Sequence, residues 1–322
     1  MQSRGAPFQG TAQKKSMADP LADCLFAADV ESDGRRYRLF HFDERDHIFR
    51  IARDTGKFYE YELLASLRLY LSREDQVIDV GANIGNHSIY FAAPCGCRVI
   101  AFEPNPAAYQ LLQLNIKYNG LLSRIEPHCI ALGAHAGRGE IDASKSVHNL
   151  GAAAVKQMPE GTVQIERLDD ALPLAHPSLI KIDVEGMELE ILLGAERTIE
   201  RARPVICIEA STTAAYERVL DFLAARSFLP LETHNFTPTH TFVPARGWSA
   251  VRVIRLLAAQ SSRNYVYSAE RFDQLLVRID HLQARLTGLE HRIKEDLCPG
   301  TPSIPNPDTG VDPTFERPIK TE

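Results

Sequence analysis

Three short stretches of this 322-residue chain carry residues whose types and spacing suit chemistry. The first is Val77-Ile78-Asp79-Val80-Gly81-Ala82-Asn83-Ile84-Gly85-Asn86, a β-branched run ending in an acid and leading into glycines. There the backbone can turn tightly and approach a ligand before a helix begins. It is not a dinucleotide cradle, because Asn83 stands where the second glycine of that pattern belongs. An acid just before the first glycine repels a diphosphate but suits the ammonium of a methionine moiety, directly or through water. Asp79 therefore points to S-adenosylmethionine. The second stretch, Ala101-Phe102-Glu103-Pro104-Asn105, puts a carboxylate on the next strand tip, roughly 20 residues on, where it can accept from both ribose hydroxyls. The expected cofactor set is Asp79, Gly81, Asn83, Gly85, Asn86, Glu103 and Asn105, although Asn86 also suits a helix cap.

The third stretch is Ile180-Lys181-Ile182-Asp183-Val184-Glu185. Strand alternation sets Lys181, Asp183 and Glu185 opposite the aliphatic residues, with both acids at the C-terminal mouth, which in a parallel sheet is the ligand crevice. If the run ending in Glu209 is the neighbouring strand, that acid reaches the same mouth. Clustered carboxylates repel, so at least one must have a raised pKa, pair with Lys181 or bind a cation. With a sulfonium donor, transfer of the methyl group to a protonated acceptor needs the two groups positioned and the acceptor's proton taken up. Asp183 or Glu185 is the expected base, with His87, His148 and Glu209 as further candidates. The plainer alternatives are that the acids cap a helix near Glu188 or anchor Lys181, and that His87 is a solvated helix-start residue. Asp183, Glu185 and Glu209 could also hold a hard cation, which no spacing proves.

These stretches sit in an alternation of β-branched runs and amphipathic helical runs, the pattern of crossover-connected parallel strands in one sheet. Strands are expected at Val77–Val80, Arg98–Phe102, Ile125–Leu132, Leu179–Val184 and Val205–Glu209, with Phe228–Thr233 and Thr241–Val243 closing the sheet. A helical pattern runs through Tyr59–Leu64 in an accessory lead-in, and residues 133–177 read as a substrate-facing loop. Phe272, Leu275, Ile279, Leu282, Leu286, Leu289 and Ile293 alternate in steps of three and four, a heptad seam that predicts a homo-oligomer through residues 272–293. The expected organisation is a flexible leader over 1–20, the catalytic domain with its lead-in over 21–247, a helical coiled-coil segment over 248–297 and a disordered tail over 298–322.

The three stretches, with Gly194-Ala195 and Pro204 to Glu209, resemble the FkbM family of methyltransferases over roughly Phe58 to Val243. The resemblance implies an α/β fold, a doubly wound class I methyltransferase (Rossmann-like) sheet, with S-adenosylmethionine as donor and hydroxyl acceptors on sugars, polyketides or related metabolites. The leader, heptad segment and tail lie outside it.

Composition bounds the rest. A net charge of −6 without a long basic run gives a nucleic-acid groove no support. No apolar run approaches a membrane span and the N-terminus lacks a signal-peptide pattern, so a cytoplasmic protein is expected. Cys24, Cys95, Cys97, Cys129, Cys207 and Cys298 are scattered rather than spaced as a disulfide framework, and Cys95-Gly96-Cys97 is too tight for a zinc or redox pair. The expected function is S-adenosylmethionine-dependent O-methylation of a sugar, glycan or glycolipid hydroxyl. The alternatives are a small natural-product acceptor, a non-catalytic S-adenosylmethionine-binding scaffold and a dinucleotide-dependent oxidoreductase.

Overall fold

The computed structural model describes residues 25–142, 150, 154–235 and 237–245. The chain enters through a hairpin of β1 (Phe26–Ser32) and β2 (Arg35–His41), joined by Asp33-Gly34 with φ of 52° and 71°, the positive values that a two-residue hairpin turn demands. Helix α1 (His47–Thr55) follows, with Asp46 accepting from the Phe49 N–H at 3.0 Å as its N-cap, and then α2 (Tyr61–Leu67).

The alternating section runs β3 (Gln76–Val80), α3 (Asn86–Ala92), β4 (Arg98–Phe102), α4 (Pro106–Tyr118), β5 (Ile125–His128), β6 (Ala131–Leu132), β7 (Gly137–Asp142), β8 (Ala154–Gln157), β9 (Val163–Glu166) and α5 (Leu168–Ala171). It continues with β10 (Leu179–Ile182), α6 (Glu188–Gly194), α7 (Glu196–Ala202), β11 (Val205–Glu209), α8 (Thr213–Ala225), β12 (Phe228–His234) and β13 (Thr239–Pro244). Among the described residues the main sheet has seven strands in the order β12-β13-β11-β10-β3-β4-β5. It is parallel from β11 through β5, and β13 and β12 close it antiparallel.

Side-chain alternation along the strands explains why helices cover both faces. Val77, Val99, Ala101, Leu179, Val205 and Cys207 pack with Leu63, Leu64, Ile89, Phe91, Leu112 and Ile116 of α2, α3 and α4. The intervening Ile78, Ile100, Phe102, Ile180, Ile182, Ile206 and Ile208 pack with Ile191, Leu192, Ile199, Val219 and Leu223 of α6, α7 and α8. A strand clothed on both sides has no solvated face, which is why these runs read as unbroken apolar sequence. The order reverses between β3 and β10, and the crevice beyond their carboxyl ends is where doubly wound sheets bind ligands.

Two expectations change. The run Ile125–Leu132 is not one strand: β5 ends at His128, and Ala131–Leu132 pairs instead with β9 in a second sheet of order β6-β9-β7-β8. Pro127 has no N–H to donate and is tolerated because β5 is the sheet edge, so this run cannot continue as a central strand. Residues 133–177, expected as a loop, supply most of that second sheet. The leader, His148, the heptad seam and the tail lie outside the described residues. Among the described residues no helix is long and apolar enough to cross a membrane.

The hairpin is tied to the sheet layer by two asparagines one turn apart on α4. Asn115 accepts from the Phe40 N–H at 2.7 Å and donates to the carbonyls of Ile84 at 2.8 Å and Phe40 at 3.3 Å. Asn119 accepts from the Arg38 N–H at 3.0 Å and donates to its carbonyl at 2.8 Å. The two amides thus satisfy the outer edge of β2 as a further strand would. Asn115 is fully buried, so Asn115→Ala strands several polar groups and is expected to cost about 2–3 kcal/mol, against less for the part-exposed Asn119→Ala. Urea unfolding of both variants checks this; equal losses would show that the amides do not act as described.

Candidate active site

Register alone brings the charged residues of the two central strands together: Lys181 on β10 lies directly across from Asp79 on β3. The Lys181 ammonium, 3% exposed, sits 3.2 Å from Asp79 Oδ1 and 3.1 Å from Asp183 Oδ2, and donates to the Gly81 carbonyl at 3.3 Å. Burial opposes its charge, but Asp183 and Asp79 outweigh that and hold the ammonium above its usual pKa. Asp79 is fully buried and also accepts from the Ser88 hydroxyl at 2.6 Å.

Beyond β3 the chain turns through Gly81, whose φ is 77° and where a Cβ would stand 1.9 Å from the Asp183 carbonyl oxygen, so only glycine lets the loop cross the end of β10. Asn83 is left-handed too, at φ 49°. Its N–H donates to Glu103 Oε2 at 2.7 Å, and the Asn105 N–H donates to Oε1 at 2.8 Å. Burial pushes Glu103 up to about 7 although both N–H groups pull the other way. The side-chain carbonyl of Asn83 is buried without a hydrogen-bond partner.

Gly81, Asn83, Glu103, Asp183, Glu209, His87, Glu60, Tyr59 and His47 line one cavity of about 170 Å³ at the switch point. Asp183 and Glu209 share a hydrogen bond. Burial and the neighbouring Asp183 push Glu209 up to about 9, while Asp183, whose burial is outweighed by Lys181 with help from His87, stays below the ordinary range. Near neutral pH the pair therefore offers an ionised acceptor at Asp183 beside a carboxylic acid at Glu209.

The expected residues divide accordingly. Gly81, Asn83, Asn86, Glu103, Asp183, Glu185, His87 and Glu209 all line the cavity. Asp79, Gly85 and Asn105 do not line it: Asp79 is taken up by Lys181 and Ser88, Gly85 begins α3 against Leu112, and Asn105 caps α4 by accepting from the Ala107 N–H at 3.0 Å. Asp79 therefore lies beneath the cavity lining, against Lys181 and Ser88. Asn86 caps no helix; its amide grips the Tyr59 backbone, accepting at 3.0 Å and donating at 3.1 Å. That grip delivers the residues the motifs missed, Tyr59 and Glu60. Glu60 is left-handed at φ 57°, and no local pattern marks it. The carboxylates expected to hold a cation are regrouped as well: Glu185 is exposed, and the cluster of ligand type is Glu60, His87 and Asp183. Cys95 and Cys97 are buried in the core, where burial pushes both thiols up to about 12.

The profile of the methyltransferase FkbM domain matches residues 79–238. The chain is 30% identical over 184 residues to the hexuronic acid methyltransferase AglP of Haloferax volcanii, covering 56% of this chain and 72% of that one. It is 28% identical over 155 residues to methyltransferase sdnD of Sordaria araneosa, covering 37% of this chain and 60% of the relative's length. A crystal structure of a methyltransferase FkbM from Methylobacillus flagellatus KT aligns with a TM-score of 0.43 and 22% identity, over 53% of this chain and 44% of that one. The chain belongs to the FkbM family of methyltransferases.

Proposed function

We propose that the protein is an S-adenosylmethionine-dependent O-methyltransferase whose acceptor is a hydroxyl of a sugar or glycan. The observation that carries the reading is Glu103, held on its strand tip by two backbone N–H groups and lining the same cavity as Asp183, whose carboxyl is held below the ordinary range. The site fits the donor: Glu103 has lone pairs left for ribose hydroxyls, the Asn83 carbonyl lacks a partner, and the Gly81 turn leaves no room for a side chain. Bound there, S-adenosylmethionine supplies a methyl group already activated by its sulfonium, so the chain's own residues need only place the hydroxyl and accept its proton. Asp183 is the base; Lys181 keeps it ionised and Glu209 orients it. Asp79 fixes Lys181. Glu185 lines the same cavity but is exposed and is not needed for proton acceptance.

Two observations favour a sugar. Tyr59 and His47 present rings in edge contact at 5.6 Å beside the polar Glu60 and His87, the mixed wall that suits a ring with an apolar face and equatorial hydroxyls. One relative is named a hexuronic acid methyltransferase.

Calorimetric titration with S-adenosylhomocysteine and, separately, NAD tests the donor. Deprotonated Glu103 accepts on both oxygens, whereas the acid must place a proton of its own. Affinity for S-adenosylhomocysteine should therefore rise roughly tenfold at most between pH 6 and 8, centred near 7, and Glu103→Gln should flatten that rise and bind about tenfold more weakly at pH 8. Selective NAD binding would instead restore the oxidoreductase reading. With uronic acid glycosides as acceptors, Asp183→Asn should lower kcat by about 10²-fold or more while leaving S-adenosylhomocysteine affinity within a few-fold. Retained kcat would remove Asp183 from the chemistry.

A further inference from the structure

Glu60, His87 and Asp183 come from three separate parts of the chain, and one ligand-type atom of each lies within 4.8 Å of the others. His87 Nε2 is buried and faces Glu60 Oε2 at 3.2 Å, yet it makes no hydrogen bond. Its side chain is only 7% exposed. The other Glu60 oxygen is already held, accepting from Asn235 Nδ2 at 2.8 Å, which turns Oε2 toward the histidine. A left-handed backbone at Glu60 is a further cost carried at this position. We infer that Glu60, His87 and Asp183 form a binding site for one divalent transition-metal cation at the acceptor end of the cavity.

The geometry suits coordination. Two ligand atoms each about 2.1 Å from one ion, at tetrahedral or octahedral angles, stand about 3.0–3.5 Å apart. The His87–Glu60 separation of 3.2 Å lies in that range, and an Asp183 carboxylate oxygen lies within 4.8 Å of both atoms, on a side chain anchored by Lys181. Charge points the same way. Among the described residues the ion pairs of the Lys181 ammonium are with Asp79 and Asp183 and none reaches Glu60, so negative charge is in excess on the Glu60 side. One imidazole with two carboxylates is a poor set for magnesium or calcium, which take oxygen ligands, and a good one for manganese or zinc. Three protein ligands leave positions open to the cavity, where a hydroxyl can coordinate and become more acidic. That role deepens the methyl-transfer reading and rests on it; the binding of the ion does not. Asn235 becomes the positioning residue for Glu60.

The test uses the full chain, dialysed against chelator and titrated with Mn²⁺ while the free-ion EPR signal is followed. One Mn²⁺ per chain is expected, displaced by Zn²⁺ and not by equimolar Mg²⁺, with pulsed EPR showing modulation from one imidazole nitrogen. His87→Gln should lose that modulation. Glu60→Gln, which keeps its hydrogen bond from Asn235, should weaken Mn²⁺ at least tenfold, and Asn235→Ala by about tenfold. Absence of Mn²⁺ binding, or binding without nitrogen modulation, or stoichiometry and affinity unchanged in Glu60→Gln, overturns the inference. S-adenosylhomocysteine titrated into the same samples reports folding and separates the two readings. Donor binding without Mn²⁺ removes only the cation site, whereas Mn²⁺ binding without donor removes only the methyltransferase reading.

Discussion

A fully buried ammonium is the constraint from which much of this molecule follows. Removing the Lys181 charge from water costs several kcal/mol unless carboxylates and hydrogen bonds surround it, and breaking such a cluster leaves an uncompensated charge. Asp79 meets it from the neighbouring strand, Asp183 from its own strand end, and the Gly81 carbonyl from the loop between. Those contacts hold only in the register that pairs Lys181 with Asp79, so a shift of β10 against β3 is electrostatically forbidden as well as sterically poor. The same charge keeps Asp183 ionised, and burial together with the ionised Asp183 keeps the proton on Glu209. One buried cation thus sets both strand register and the proton inventory of the site.

The second organising device is the use of asparagine amides as substitutes for backbone. Asn115 and Asn119 complete the edge of β2, and Asn86 takes both the N–H and the carbonyl of Tyr59. A buried amide with donor and acceptor used together loses much if either partner goes, so these contacts specify one docking of the lead-in rather than a range. Through them a region preceding the family match, which begins at residue 79, becomes part of the cavity wall and supplies His47, Tyr59 and Glu60.

Much of the fold was legible because its signals are local. Runs such as Val77–Val80 and Val205–Glu209 are apolar on both faces, and only a strand covered twice needs that. Glycine at 81 before a helical run, an acid at the next strand tip, and alternation of charge along Lys181, Asp183 and Glu185 each report a backbone requirement inside a few residues. The break within Ile125–Leu132 was not legible: the β-branched content is right for one strand, and which sheet Ala131 and Leu132 join depends on β9, thirty-odd residues away.

By itself the sequence determined the alternation of buried strands and helices, the glycine loop and the inventory of acids, since periodicity, glycine and strand-end position are properties of neighbouring residues. Only the tertiary structure decided what those acids do. It set Asp79 beneath the loop, placed Gly85 and Asn105 outside the cavity lining, and shifted the pKa values of Asp183 and Glu209 in opposite directions. It also brought Glu60 to His87 from 27 positions earlier in the chain. The reason is that charge state and ligand geometry depend on distance, burial and dielectric, which belong to residues brought together across the sheet and not to any one stretch of chain.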